Sequence, residues 1–401
     1  MAVMSRKVLL LILGTLALVA CAPAAATTFP DTPTLEPLPP VRIPAEAGAP
    51  GTPAPTTTTL PPTNQRRLVE VQTIGGDIAP KSVVATGHGL VFAQNMMYRH
   101  TVTAYNEDHE LVATIPDTVV LVDYGLDTDD SAYQGAPVEG AATSDGGYVY
   151  VSNYAMYGPG YANPGDDECD LAPWDESFVY RIATESFSID QVIPVGAVPK
   201  YLALTPGDDT LLVTNWCSFD MSVIDTATAK ERARVPLGRH PRGIAITADG
   251  ATAYVAVMGS TSIAVVDLAT FDVGWIRGVG NNPRHLVLSP DDRYLYATLN
   301  GDDRVIRVDL AAGTVVDRVA TGDAPRSMAI SDDGLSLYVV NYESGTVSKL
   351  DTTTMTVVQE LPVAERPIGV TFDTATRSVW VASYSGVITV FDELLCDGDP
   401  C

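Results

Sequence analysis

Basic residues are scarce in this chain. Lys and Arg number 24 against 49 Asp and Glu, which leaves a formal charge of −25 over 401 residues. Such a surface repels phosphate backbones and anionic lipid, so nucleic-acid partners and electrostatic adhesion to membranes are excluded. Charged residues make up only 18% of the chain and hydrophobic ones 46%, so charge-driven disorder is ruled out and a real core can form. Long apolar runs are also missing. Val8 to Ala20 stops at 13 residues, short of the roughly 18 that a spanning helix needs. The five histidines (His88, His100, His109, His240 and His285) have no metal-ligand spacing. No serine stands in a nucleophile-elbow context, and no Cys-His pattern offers haem attachment. No cofactor is expected.

The N-terminus reads as an export signal, with Arg6 and Lys7 ahead of the apolar run. Leu18-Val19-Ala20-Cys21 resembles a bacterial lipobox, which implies a signal peptide over residues 1–20 and a lipid on Cys21. The expected location is extracytoplasmic, with the lipid in the cell membrane or outer membrane of a bacterium. Of the 29 prolines, 12 lie between Cys21 and Thr63. Residues 21–66 are therefore expected to be an extended Pro/Thr/Ala-rich linker, reaching on the order of 130 Å at ~3.1 Å per residue. Residues 67–395 are the expected globular head, and 396–401 a short cysteine-containing tail.

An internal repeat organises the head. Pro199, Pro241, Pro283, Pro325 and Pro367 are each 42 residues apart. Gly196, Gly238, Gly280 and Gly322, Tyr254, Tyr296 and Tyr338, and Asp225, Asp267, Asp309 and Asp351 keep the same period. Each unit holds four short β-patterned runs, for example 327–330, 337–340, 346–350 and 356–361, separated by turn signals such as Ser331-Asp332-Asp333-Gly334. The Asp that follows each third run is expected to cap its hairpin. Two further units begin at Pro80 and Pro137. Seven four-stranded units of this length make an all-β, seven-bladed propeller. The last unit lacks its outer strand, and the alternating stretch 68–74 is expected to supply it and close the ring.

Tyr338-Val339-Val340-Asn341, Tyr150-Val151-Ser152-Asn153 and Leu212-Val213-Thr214-Asn215 carry a resemblance to the YVTN-type β-propeller repeat family. Pro241-Arg242-Gly243-Ile244-Ala245 and Ser289-Pro290-Asp291-Asp292 fit the same pattern. The resemblance spans roughly 68–395 and implies a fold shared with surface-layer and exported proteins and, in shape, with propeller lactonases. The Asn gives way to Val257, Leu299 and Ser383 in three units, so it reads as a turn-stabilising residue.

The residue after each repeat proline is expected at the channel mouth: Lys81, Val138, Lys200, Arg242, Arg284, Arg326 and Ile368. Five of the seven are basic, a concentration that suits a carboxylate, a phosphate or an acidic glycan. Arg239, His240 and His285 are expected beside them, with His285 counted among the ligand-binding residues. Two insertions, 117–134 and 154–175, fall on the same face. Asp127, Asp129 and Asp130 in the first form a weak Ca²⁺ candidate without calcium-loop spacing.

With Cys21 set aside, four cysteines remain, and the blade assignment pairs Cys169 with Cys217 and Cys396 with Cys401. The expected function is that of a monomeric, lipid-anchored binding or interaction module for a small anionic ligand, a glycan or an envelope protein. The alternatives are a propeller hydrolase or lactonase using Glu139, and a purely structural envelope protein.

Overall fold

The computed structural model describes residues 61–170 and 173–395; the expected signal peptide, Cys21, most of the linker, Cys396 and Cys401 lie outside them. Seven antiparallel four-stranded sheets make up the head. Each innermost strand packs against the next, and that of the seventh blade packs against that of the first, so the ring closes as a β-propeller. In blade 6 the strands are Pro325–Ile330, Ser336–Asn341, Thr346–Asp351 and Thr356–Pro362, each slightly longer than the sequence pattern. Innermost strands of blades 2 to 7 start on the repeat proline itself. A residue without an N–H costs no ladder bond at a strand start.

The core lies between blades rather than at one centre. Leu212, Met221 and Val223 of blade 3 meet Ile244, Val255 and Ala264 of blade 4 in one fully buried layer. Each such side chain contributes about 1.5–3 kcal/mol by leaving water. Glycine permits the tightest approach: a Cβ on Gly243 would stand 2.8 Å from the Arg284 carbonyl oxygen of the neighbouring innermost strand. The hairpin caps form as expected, with Asp225, Asp267, Asp309 and Asp351 each accepting from backbone N–H groups of the turn that follows. In blade 6 Asn341 donates to the Thr346 and Ser348 hydroxyls, a structural use of the repeated Asn.

Blade 7 consists of Pro367–Asp373, Ser378–Ser383, Val387–Leu395 and, outermost, the N-terminal strand Arg66–Ile74. A buried ionic clasp holds this closure. The Lys349 ammonium, fully buried, donates to the carbonyl oxygens of Thr63 and Arg66 at 2.8 Å and to the Glu393 carboxylate at 2.7 Å. The Tyr338 hydroxyl donates to the same Glu393 oxygen. Thr63 is fixed in turn by its N–H and hydroxyl, both donating to Asp333.

Candidate functional site at the channel mouth

The local backbone is built to aim one side chain per blade at the axis. The residue before the proline has positive φ in five blades: Val198, His240, Asn282, Ala324 and Arg366. For a branched residue such as Val198 this is strained, at a cost of order 1–3 kcal/mol. The strain is held by a hydrogen bond. Carbonyls of these same residues accept from the N–H of Trp216, Met258, Asn300, Tyr342 and Tyr384. Immediately after the proline the ladder slips, between Pro199 and Tyr201, Pro241 and Ile244, Pro283 and Leu286, and Pro325 and Met328. Such a bulge re-aims the extra residue. The re-aimed residues are Lys200, Arg242, Arg284 and Arg326.

These four, Lys81 and, at the exposed rim, Arg366 line one cavity of about 620 Å³. A second set shares its wall: Met96, Tyr154, Trp216, Met258, Asn300, Tyr342 and Tyr384, one from each blade. From Trp216 onward these are also 42 residues apart, each directly after the second strand of its blade. The sequence reading missed this ring because its chemistry changes from blade to blade, although its period was visible.

The two sets pack on one another. Lys200 lies 4.1 Å from the ring centre of Tyr154 and 5.3 Å from that of Trp216. Arg326 sits 3.5 Å above Tyr342, and Lys81 is 5.7 Å from the Tyr384 ring. Arg284 reaches the Met258 sulfur at 3.5 Å. Among the described residues, two carboxylates pair with these five collar cations. Arg242 pairs with Glu139 at 3.1 Å, both buried, and Lys200 pairs with Asp167 at 2.6 Å. Burial pushes Lys200 down to about 8, with Asp167 opposing the shift and Arg242 adding to it. Burial acts to raise Asp167, but the Lys200 charge and hydrogen bond outweigh it and hold the carboxyl at about 2.

Asp167 belongs to the second insertion, which reaches the mouth as expected. A disulfide between Cys169 and Cys217, with Cα atoms 5.2 Å apart, fastens it to blade 3. The Trp216 indole N–H donates to the Asp167 carbonyl at 2.8 Å.

Other expected site residues lie elsewhere. His285 is absent from the mouth wall; it lines a second, smaller chamber of about 170 Å³ with Glu139, Tyr201 and Ser327. Burial, with help from Arg242 and Arg284, pushes its imidazole down to about 3, so it is neutral at ordinary pH. His240 stacks on Trp216 with ring centres 4.2 Å apart, and Arg239 lies 3.8 Å from Asp170 on the exposed rim. In the first insertion Asp127 accepts from the Tyr133 hydroxyl and the Thr128 N–H, and Asp129 from Ser131. Among the described residues no group of three His, Cys, Asp or Glu gathers to hold a metal.

Fold and site together define a seven-bladed propeller whose channel opens through a cationic, aromatic-walled mouth. A family model described as the cytochrome D1 haem domain matches residues 253–392, from the second strand of blade 4 to the third of blade 7. Among solved structures, Kuenenia stuttgartiensis hydrazine synthase is similar at 20% identity and a TM-score of 0.63, over 80% of this chain and 98% of that one. Virginiamycin B lyase from Staphylococcus aureus is similar at 15% identity and a TM-score of 0.61, over 82% and 99%. At these identities the likeness is one of fold. No curated protein matches the chain.

The mouth wall carries no imidazole or thiolate to ligate a haem iron; the ligand types it holds are the thioethers of Met96, Met97 and Met258 and the tyrosine phenols. Of these phenols, burial pushes Tyr384 up to about 12 and Tyr154 further still, which makes those two poor phenolate donors.

Proposed function

We propose that this propeller is an extracytoplasmic binding module of the YVTN-repeat type, lipid-anchored through Cys21, that takes an anionic ligand at its channel mouth. One observation carries the reading. A chain of formal charge −25 gathers six of its 24 basic residues, Lys81, Lys200, Arg242, Arg284, Arg326 and Arg366, around a single cavity and, among the described residues, supplies two carboxylates against them. Low-dielectric walls focus that field toward the opening and raise the local concentration of anions. Aromatic and thioether side chains add apolar contact for the body of a ligand, as small-molecule sites require. Glu139, the candidate for hydrolysis, is occupied by Arg242 and buried beneath the mouth, which favours binding over catalysis.

The test is a thermal-shift series of the full-length protein against organic anions, matched neutral compounds and cations at low ionic strength. Anions should raise the melting temperature in proportion to ln(1 + [L]/Kd), and added salt should weaken the effect. An equal response to anions and neutral compounds would refute the proposal. Loss of turnover in Glu139→Gln with binding retained would favour the hydrolase.

A further inference from the structure

The collar is not uniform, and its asymmetry narrows the ligand. Lys200 and Arg242 have carboxylate partners at 2.6 and 3.1 Å. Lys81, Arg284 and Arg326 have none within ion-pair distance among the described residues, and each keeps a buried nitrogen without a hydrogen-bond partner: Lys81 Nζ, Arg284 Nε and Arg326 Nε. Lys81 is only 4% exposed and Arg284 7%. The contacts their charged ends make are with aromatic rings and a thioether: the rings of Tyr384 and Tyr342 and the sulfur of Met258. A charge buried in this way costs several kcal/mol unless something compensates it.

We infer that Lys81, Arg284 and Arg326 form one subsite for a multivalent oxyanion, a phosphomonoester or a cluster of carboxylates, carried on an apolar body. This rests on the mouth being a binding site and adds where the acidic group sits and how much charge it bears. Three uncompensated cations are not balanced by a monoanion. A group with two or more negative charges balances them and presents several acceptor oxygens to donors that now have none. Burial first, and then the cations Arg242, Arg284 and Lys200, press the Lys81 ammonium toward the free amine, with Glu139 opposing them; a bound oxyanion reverses that pressure. The body of the ligand lies against Met96, Met97, Met258, Tyr342 and Tyr384, which share the cavity wall. Tyr342 and Tyr384 meet edge to face at 6.1 Å.

The experiment is isothermal titration of the full-length protein with phenyl phosphate, inorganic phosphate, citrate, benzoate and benzyl alcohol. Phenyl phosphate should bind at least tenfold more tightly than benzoate, and benzyl alcohol should not bind. Lys81→Met, Arg284→Met and Arg326→Met should each weaken phenyl phosphate about 30-fold or more, the loss that follows truncating one partner of a buried charge pair. Their ligand-free melting temperatures should not fall, which separates lost binding from lost folding. Citrate binding in place of phenyl phosphate would assign carboxylates as the source of the same oxyanion chemistry. Inorganic phosphate binding as tightly as phenyl phosphate would overturn the apolar body. If anions bind but only Lys200→Met abolishes it, the subsite is wrong and the mouth stands; if no anion binds, both fail.

Discussion

Two regions of this molecule bury lysine, and they do so in opposite ways. At the closure, Lys349 is wholly buried and all three ammonium protons find acceptors in Thr63, Arg66 and Glu393. At the mouth, Lys81 is almost as buried and its ammonium finds no acceptor. Burial alone therefore does not define the role of a charge; satisfaction does. A buried ion held on every side stabilises the arrangement that holds it. A buried ion left without partners is a cost to the ligand-free fold, and a ligand can remove that cost.

The largest effect should come from breaking the satisfied site. Lys349→Met leaves Glu393 buried without its main partner, and the head should lose about 3–5 kcal/mol in urea unfolding. Replacing both partners, as in Lys349→Met with Glu393→Leu, should recover much of that loss. If the single variant unfolds like the wild type, the clasp is not what holds the N-terminal strand.

Asp167 separates the two halves of the collar more gently. Its side chain is 73% exposed although that of Lys200 is only 6% exposed, so solvent at the Asp167 end screens the pair and discounts it to about 1 kcal/mol. Asp167→Asn should leave stability nearly unchanged and strengthen anion binding by roughly two- to fivefold, since an internal competitor for Lys200 is removed. Weaker anion binding would mean that Asp167 orders the site rather than competing for it.

Lys200 should also produce a pH dependence with opposite signs in two measurements. Lys200 is pushed by burial from 10.5 down to about 8. Below about 8 it is charged in both folded and unfolded states. Between there and 10.5 the unfolded chain holds the extra proton, so ligand-free stability should rise with pH through this window. Anion affinity should fall over the same window as one collar charge disappears. Affinity that is flat from pH 7 to about 10 would place Lys200 outside the binding field.

The blades were legible because one period ran through four columns of residues, and a proline marked where the innermost strand begins in blades 2 to 7. The same proline located Lys81, Lys200, Arg242, Arg284 and Arg326. His285 misled because it adjoins Arg284 in sequence; past the bulge its side chain turns to the lower chamber instead. The ring from Trp216 to Tyr384 was legible in spacing but not in chemistry, since Trp, Met, Asn and Tyr share no property that flags a column. Asp167 was seen only as part of an acidic insertion, because a loop without period carries no register to pair it with Lys200. Lys349 and Glu393 were invisible for a related reason. Their contact joins blade 6 to the third strand of blade 7, on which the N-terminal strand closes the ring, and nothing in the repeat anticipates it.

The most direct measurement compares the ligand-free unfolding midpoint of the wild type with that of the triple variant Lys81→Met, Arg284→Met, Arg326→Met. If the three cations are kept for a ligand, the variant should unfold at a higher denaturant concentration, because buried charge without partners has been replaced by apolar side chains of similar reach. A midpoint lowered to the extent expected for Lys349→Met would show instead that the mouth cations hold the fold, and would contradict the distinction between the two buried lysines.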